Sequence, residues 1–273
     1  MLRPMLLAIF LLLSLTLASA TPVPASQSGY APQSGQPGKD VVWVPSPMSM
    51  VERLLDMAAV TPQDYVVDLG SGDGRTVIAA AKRGARAHGI EYDTALVDFS
   101  KRNAVKEDVS DRATFEQADV FVTDFSNATV ITLFLTPEMN IRLRPKLLDL
   151  KPGTRIVANT FGIGDWNADR TSTITGNCER WCIARLWIVP TKVAGKWQLL
   201  QGELTIKQSY QTFSGTLAGR SGVMRVAGRL RADEIFFAAG KTRFTGRVAG
   251  DVIEGFAREA GKDTGFRARR TGN

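Results

Sequence analysis

Two carboxylates and three glycines fall within seven residues of this chain, in Asp68-Leu69-Gly70-Ser71-Gly72-Asp73-Gly74. Glycine at alternate positions lets the backbone pass through positive φ and leaves no Cβ between main chain and ligand. Such a turn needs rigid flanks. Tyr65 to Leu69 is a short β-branched, apolar run of the kind found in a central parallel strand. Thr76 to Arg83 has helical character, with Gly84 as a C-terminal stop. Strand, turn and helix start together predict a ligand pocket at the carboxyl end of a strand.

The spacing narrows the ligand. A dinucleotide fingerprint needs glycine at the first, third and sixth loop positions to seat a pyrophosphate. Here the fifth position is Gly74 and the sixth is Arg75. Asp68 and Asp73 suit a phosphate poorly and a cation, such as a sulfonium–amino acid, well. Glu91, in His88-Gly89-Ile90-Glu91-Tyr92, lies 21 residues beyond Gly70, where a strand-end carboxylate can take two ribose hydroxyls.

On these residues the chain resembles the class I S-adenosylmethionine (SAM) methyltransferases: Asp68 to Gly74 is similar to their first motif, and Gly89-Ile90-Glu91 to their second-strand acidic motif. The resemblance implies that Asp68, Gly70, Ser71, Gly72, Asp73 and Gly74 hold the amino-acid part of SAM. It further implies that Glu91, beside Tyr92, holds the ribose, and that Asp119 and Val120 read the adenine. A second stretch, Leu133-Phe134-Leu135-Thr136-Pro137-Glu138-Met139-Asn140 with Leu150 to Val157, resembles the lysine methyltransferases of the ATP synthase c-subunit and ADP/ATP translocase. It is more loosely similar to the nucleosomal histone-lysine enzyme without a SET domain. In these enzymes the segment matching Val44-Pro45-Ser46-Pro47 closes over SAM. By resemblance the acceptor enters beside Thr136, Pro137 and Asn140. The chain departs from many amine methyltransferases, which end this strand in Asn or Asp followed by Pro-Pro and an aromatic; here it ends Leu135-Thr136-Pro137.

The elements that must position these residues alternate. Ser46 is a candidate N-cap and Pro47 a first helical residue, with Val51, Leu54, Leu55 and Ala58 on one face of the helix that follows. Residues 85–91 read as a strand, 94–107 as a helix capped by Asp93, 113–119 and 128–135 as strands. Thr136-Pro137-Glu138 opens a helix in which Pro145 marks a kink or the true start, and 154–161 is a further strand. Strand–helix alternation predicts an α/β fold, a doubly wound and mostly parallel seven-stranded sheet. Ile183 to Val189 and Trp197 to Ser209 are expected to finish it with antiparallel strands. Beyond them, short alternating segments recur with glycine, as in Phe213-Ser214-Gly215 and Phe244-Thr245-Gly246, and predict a small β-meander or partial barrel. The expected domains are therefore 1–20, 21–40, 41–209 and 210–273.

Met1 to Ala20 has the form of a secretory leader: Arg3, a 13-residue apolar core from Met5 to Leu17, and Ala18-Ser19-Ala20. It predicts a periplasmic or secreted protein, with an uncleaved membrane anchor as the alternative. Thr21 to Lys39, rich in Pro, Ser, Gly and Gln, reads as a flexible linker. Residues 171–273 carry 17 Lys and Arg against 8 Asp and Glu, while the first 170 carry 17 against 19. The basic C-terminal module could meet an anionic surface or an acidic protein, or serve solubility alone; no basic run with stacking aromatics points to nucleic acid.

One histidine and two cysteines argue against a His-rich metal centre and a Ser-His-Asp triad. His88 falls within a strand and reads as structural. Cys178 and Cys182 would lie about 13 Å apart in a strand and about 6 Å in a loop or turn, where they can bond. Gly162 to Trp166 follows a strand end; Trp166 can line an acceptor channel or simply pack. No metal is expected. The leading expectation is methyl transfer from SAM to a protein lysine. The alternatives are a small-molecule acceptor, or an exported non-catalytic binding protein on the same fold.

Overall fold

The computed structural model describes residues 29–176, 178–220 and 222–272. The predicted leader and the first part of the linker lie outside them. From Pro32 on, the described residues fall in one compact unit that holds an α/β sheet and a β-barrel.

The sheet contains β1 (Tyr65–Leu69), β2 (Arg86–Glu91), β3 (Ala113–Gln117), β4 (Val130–Leu133), β5 (Arg155–Asn159), β6 (Arg170–Thr173) and β7 (Ile183–Ile188), in the order β3-β2-β1-β4-β5-β7-β6. The first five are parallel, and β7 and β6 are antiparallel additions. Alternation along the strands feeds two cores. Val66, Ala87, Ala113, Val130 and Val157 pack under α1 (Met48–Met57), α2 (Arg75–Lys82) and α3 (Thr94–Lys106). Val67, Leu69, Ile90, Ile131, Leu133 and Ile156 pack under Leu143 and Leu147 of α4 (Pro137–Leu148). Helices on both faces are what parallel strands with right-handed crossovers require.

Local signals behave largely as read. Asp93 caps α3 by accepting from Ala95 and Leu96 N–H, and Thr136 caps α4 from Met139 N–H. Ser46 does not cap α1: Pro47 takes that position, and the buried Ser46 hydroxyl accepts instead from Asn159 Nδ2 at 3.0 Å. Helix α4 starts at Pro137 and runs through Pro145, which is therefore not its start.

Two boundaries need correction. β6 replaces the strand expected at 197–209 as the seventh member of the sheet. β8 (Gly195–Leu199) and β9 (Gly202–Ser209) instead join β10 (Thr212–Gly219), β11 (Gly222–Arg231), β12 (Glu234–Ala239), β13 (Thr242–Ala249), β14 (Val252–Glu259) and β15 (Lys262–Gly272). These eight make a fully closed antiparallel barrel, sealed where β15 pairs with β8, rather than a partial barrel beginning at residue 210. Closure abolishes the unpaired edges a small open sheet would expose. Aromatic rings pack inside the barrel, where Phe237 stacks on Phe244 at 4.4 Å and Phe266 meets Phe244 edge-on at 5.2 Å. A cavity of about 450 Å³ opens beside them, lined by Leu217, Met224, Ala239 and Ala257.

Sheet and barrel meet at a polar–aromatic seam. Trp166 is 1% exposed and stacks on Tyr210 at 5.8 Å, and its Nε1 donates to Gln211 Oε1 at 2.9 Å. Gln211 Nε2 donates to the Asn167 carbonyl, and Trp187 Nε1 to that of Trp166. Of the two readings of Trp166, the structure shows packing. His88 lies in β2 with Nδ1 2.8 Å from Thr114 Oγ1. Among the described residues no helix is long and apolar enough to cross a membrane, and no side-chain cluster could hold a metal ion.

Candidate cofactor and methyl-acceptor site

The glycine turn leaves β1 at its carboxyl end, beside the paired strand β4, where the connections that follow β1 and β4 lead to opposite halves of the sheet. Gly70, Gly72 and Gly74 all have positive φ, at 79°, 55° and 80°. The turn is pinned from below: Gly70 and Ser71 N–H both donate to the Ile90 carbonyl, and Ser100 Oγ donates to the Gly72 carbonyl. A side chain on Gly72 would put its Cβ 2.4 Å from Trp43 Nε1, and one on Gly70 would lie 2.8 Å from Leu135 Cδ2. The bare main chain is thus what keeps a cleft between turn, strap and β4.

That cleft has a volume of about 130 Å³. Of the residues expected at the cofactor, Asp68, Gly70, Ser71, Gly72, Asp73, Glu91, Tyr92, Asp119 and Val120 line it; Gly74 does not, and serves as the left-handed N-cap of α2. Asp68 is buried, accepts a hydrogen bond from Thr132 Oγ1, and is pushed up to about 7, chiefly by burial, with Glu91 and Asp73 adding repulsion. Glu91 is oriented by main chain: Oε2 accepts from Gly72 N–H at 2.9 Å, and Oε1 from Tyr92 and Asp93 N–H at 2.8 and 3.0 Å. Asp73 is not the free negative charge that its place in the turn suggests. It is paired with Arg75 at 2.5 Å, and Arg75 Nη1 continues to the Ser46 carbonyl. Ser71 Oγ is buried with no protein partner.

Residues 35–46 form a strap across the cleft, closed on itself by Gly35 N–H to Trp43 O and Trp43 N–H to Gln36 O. Lys39 reaches from it to Asp119 at 2.8 Å and lies 4.3 Å over the Tyr92 ring. The hydrogen bond from Lys39 holds the Asp119 carboxyl below its ordinary range, helped by Phe121 N–H. The sequence carries no sign of this contact, because Lys39 ends a stretch with linker composition. The Val-Pro-Ser-Pro lead-in, by contrast, is a visible motif.

The expected acceptor residues are only partly brought together. Thr136 and Pro137 start α4 outside the cleft lining, and Asn140 is fully buried, donating Nδ2 to the Gly162 carbonyl at 3.1 Å. Burial removes Asn140 from direct contact with an acceptor. Phe134, Leu135 and Met139 occupy the cleft wall instead.

The cleft fits a sulfonium nucleoside on its own chemistry. It offers a buried carboxylate for a cation, a second carboxylate with spare lone pairs for hydroxyls, bare glycine main chain, and an unsatisfied hydroxyl at Ser71. A seven-stranded sheet in this order, with this turn and a strand-end glutamate, defines a SAM-dependent methyltransferase.

Comparison with known proteins agrees. The family model described as the ANTKMT methyltransferase domain matches residues 68–170. A protein-lysine N-methyltransferase of Saccharolobus islandicus is 42% identical over 130 residues, covering 46% of this chain and 81% of that protein. The human lysine N-methyltransferase of the ATP synthase c-subunit is 34% identical over 131 residues, covering 48% of this chain but only 56% of the human enzyme. A crystal structure of an RNA methyltransferase from Salinibacter ruber, in complex with S-adenosyl-L-homocysteine, superposes with a TM-score of 0.52 at 43% identity, over 55% of this chain and 96% of that one. The chain belongs to this family of methyltransferases, related to the protein-lysine enzymes. None of these matches covers the whole chain.

Proposed function

We propose that this protein transfers the methyl group of SAM to a lysine side chain of a protein, and that it does so after export. The observation that carries the reading is the pair of carboxylates, Asp68 and Glu91, on neighbouring strand ends around a bare glycine turn. The identity to the Saccharolobus protein-lysine enzyme supports the lysine acceptor. A disulfide joins Cys178 and Cys182, and such bonds persist in oxidising compartments, which supports export.

When bound, SAM supplies a methyl group activated by positive sulfur. The chain's own residues bind and orient. Ionised Asp68 offers negative charge to the cationic end, and the Gly70–Gly72 main chain accepts close approach. Glu91, fixed by three N–H groups, offers its remaining lone pairs to hydroxyls. Trp43 and Leu135 flank the turn. A protonated amine has no lone pair, so the lysine must reach the cleft neutral.

The test is calorimetric titration of SAM into the wild-type protein and Glu91→Ala, followed by mass spectrometry of a lysine-rich peptide incubated with each. Micromolar binding that weakens about a hundredfold in the variant, with one to three methyl groups on peptide lysines, is expected. Binding without transfer to lysine would overturn the acceptor. A structured RNA belongs in the same assay, because the Salinibacter structure is described as an RNA methyltransferase and the barrel is basic. Export is checked by fractionating cells and trapping free thiols: a periplasmic protein with no free thiol is the expected result.

A further inference from the structure

Against the β4–β5 side of the cleft stand three aromatic rings. Phe134, just past β4, lines the cleft. It stacks on Phe161, just past β5, with centroids 6.2 Å apart, and meets Trp181 edge-on at 5.7 Å. All three are half-buried, and none belongs to the hydrophobic core on either face of the sheet. The core does not need them where they are.

The fold nevertheless holds them firmly. Thr160, immediately before Phe161, has φ +57°, a conformation that β-branched residues adopt only under constraint. Its N–H donates to the Ile183 carbonyl at 2.6 Å, and its carbonyl accepts from Arg185 Nε at 2.8 Å. Trp181 has φ +56° and sits inside the loop that the Cys178–Cys182 bond closes. Two constrained non-glycine residues, one in the aromatic cluster and one beside it, are the pattern expected where the side chains they aim are used.

What such a cluster takes follows from its chemistry. Flat aromatic faces hold a methylene stem by apolar contact and an alkylammonium head by cation–π attraction. The other walls of the cleft carry the carboxylates and the glycine turn that suit the cofactor, whereas this side offers rings at the carboxyl ends of β4 and β5, where an acceptor has to arrive. We propose that Phe134, Phe161 and Trp181 form the acceptor subsite, gripping the lysine side chain and its methylated products, and that the Cys178–Cys182 bond positions Trp181 for this role. The proposal rests on the lysine reading above and deepens it.

The probe is Nα-acetyl-Nε-trimethyl-lysine methylamide, titrated into the protein saturated with S-adenosylhomocysteine and followed on its trimethylammonium proton signal. The neutral norleucine analogue is the control. Expected are saturable millimolar binding, several-fold weaker for norleucine, and a loss of about tenfold in Trp181→Ala that Trp181→Phe largely restores. The double variant Cys178→Ser/Cys182→Ser should lose affinity by about threefold through Trp181's freedom. Unchanged calorimetric affinity for S-adenosylhomocysteine in each variant shows that the sheet is folded. Absence of saturable binding to the wild type, or equal binding by Trp181→Ala, would overturn the subsite. A wild type that methylates lysine peptides with the same KM as Trp181→Ala overturns the subsite alone; a cofactor-loaded wild type that transfers to no lysine overturns both.

Discussion

The sheet and the barrel use glycine in opposite ways. At Gly72 the missing Cβ keeps open a space between turn and strap, 2.4 Å from Trp43 Nε1. At Gly215 it lets two strands close: a Cβ there would sit 1.8 Å from the Thr205 carbonyl oxygen of the neighbouring strand. One glycine makes room for a ligand and the other for backbone. Their charges differ in the same sense. The cleft buries Asp68 at a cost in the empty protein, whereas the barrel keeps Arg247, Arg258 and Arg267 on its surface beside Asp233, Asp263 and Glu254. Asp68 is buried and awaits a ligand; these three barrel arginines are exposed and already partnered.

The sharpest test of that contrast is Gly215→Ala. The clash is with backbone, so the barrel should lose about 3 kcal/mol or more, read as a lowered denaturant midpoint. Because the cleft is built from the sheet, SAM affinity measured below the transition should stay within about twofold; joint loss would break the comparison.

Next in size is Asp68→Asn, which should weaken SAM binding about a hundredfold while making the empty protein more stable, by about 1–2 kcal/mol at pH 8. The sign follows from the raised value near 7. The folded protein keeps this proton where the unfolded chain has lost it, so the contribution is favourable at low pH. It fades as pH rises from about 4 through about 7. In the wild type, SAM affinity should rise with pH up to about 7 and level off above it, and the asparagine variant should flatten that profile. A flat wild-type profile would show that Asp68 does not meet the cationic end.

Smaller still is Lys39→Met, which removes the strap's contact to Asp119 and Tyr92. Lys39 is exposed, so stability should stay unchanged within error, while SAM dissociation should quicken by several-fold in stopped-flow fluorescence. The smallest effect is Arg247→Ala: its exposed contacts to Asp233 and Glu234 should leave the thermal unfolding midpoint unchanged within error.

What the sequence disclosed depends on how local each cause is. The glycine turn, Glu91 and the caps Asp93 and Thr136 act within one or two elements, so residue type and spacing reveal them. β6 gives no strand signal, because Arg170-Thr171-Ser172-Thr173 is polar on both faces and carries no alternation. The strands at 195–209 alternate as any antiparallel strand does, and nothing within them says whether they pair with β7 or with strands farther on. Lys39 on Asp119 spans 80 residues, and Phe134 beside Trp181 is likewise a product of the fold. The ends of the chemistry, turn and glutamate, were legible; the walls of the cleft were not.

The pairing of β15 with β8 also sets an order of events. Every other strand pairing in the barrel joins strands adjacent in sequence and forms as a hairpin, quickly and with little loop to close. The seal joins Ala268 to Leu199, across a loop whose closure entropy must be met before the contact rewards it. Until Lys262–Gly272 has been synthesised, β8 and β14 present open edges to neighbouring chains. The sheet can be complete while the barrel is still a ribbon, so newly made protein should pass through a stage in which the cleft is formed and the barrel is the part a chaperone has to shield.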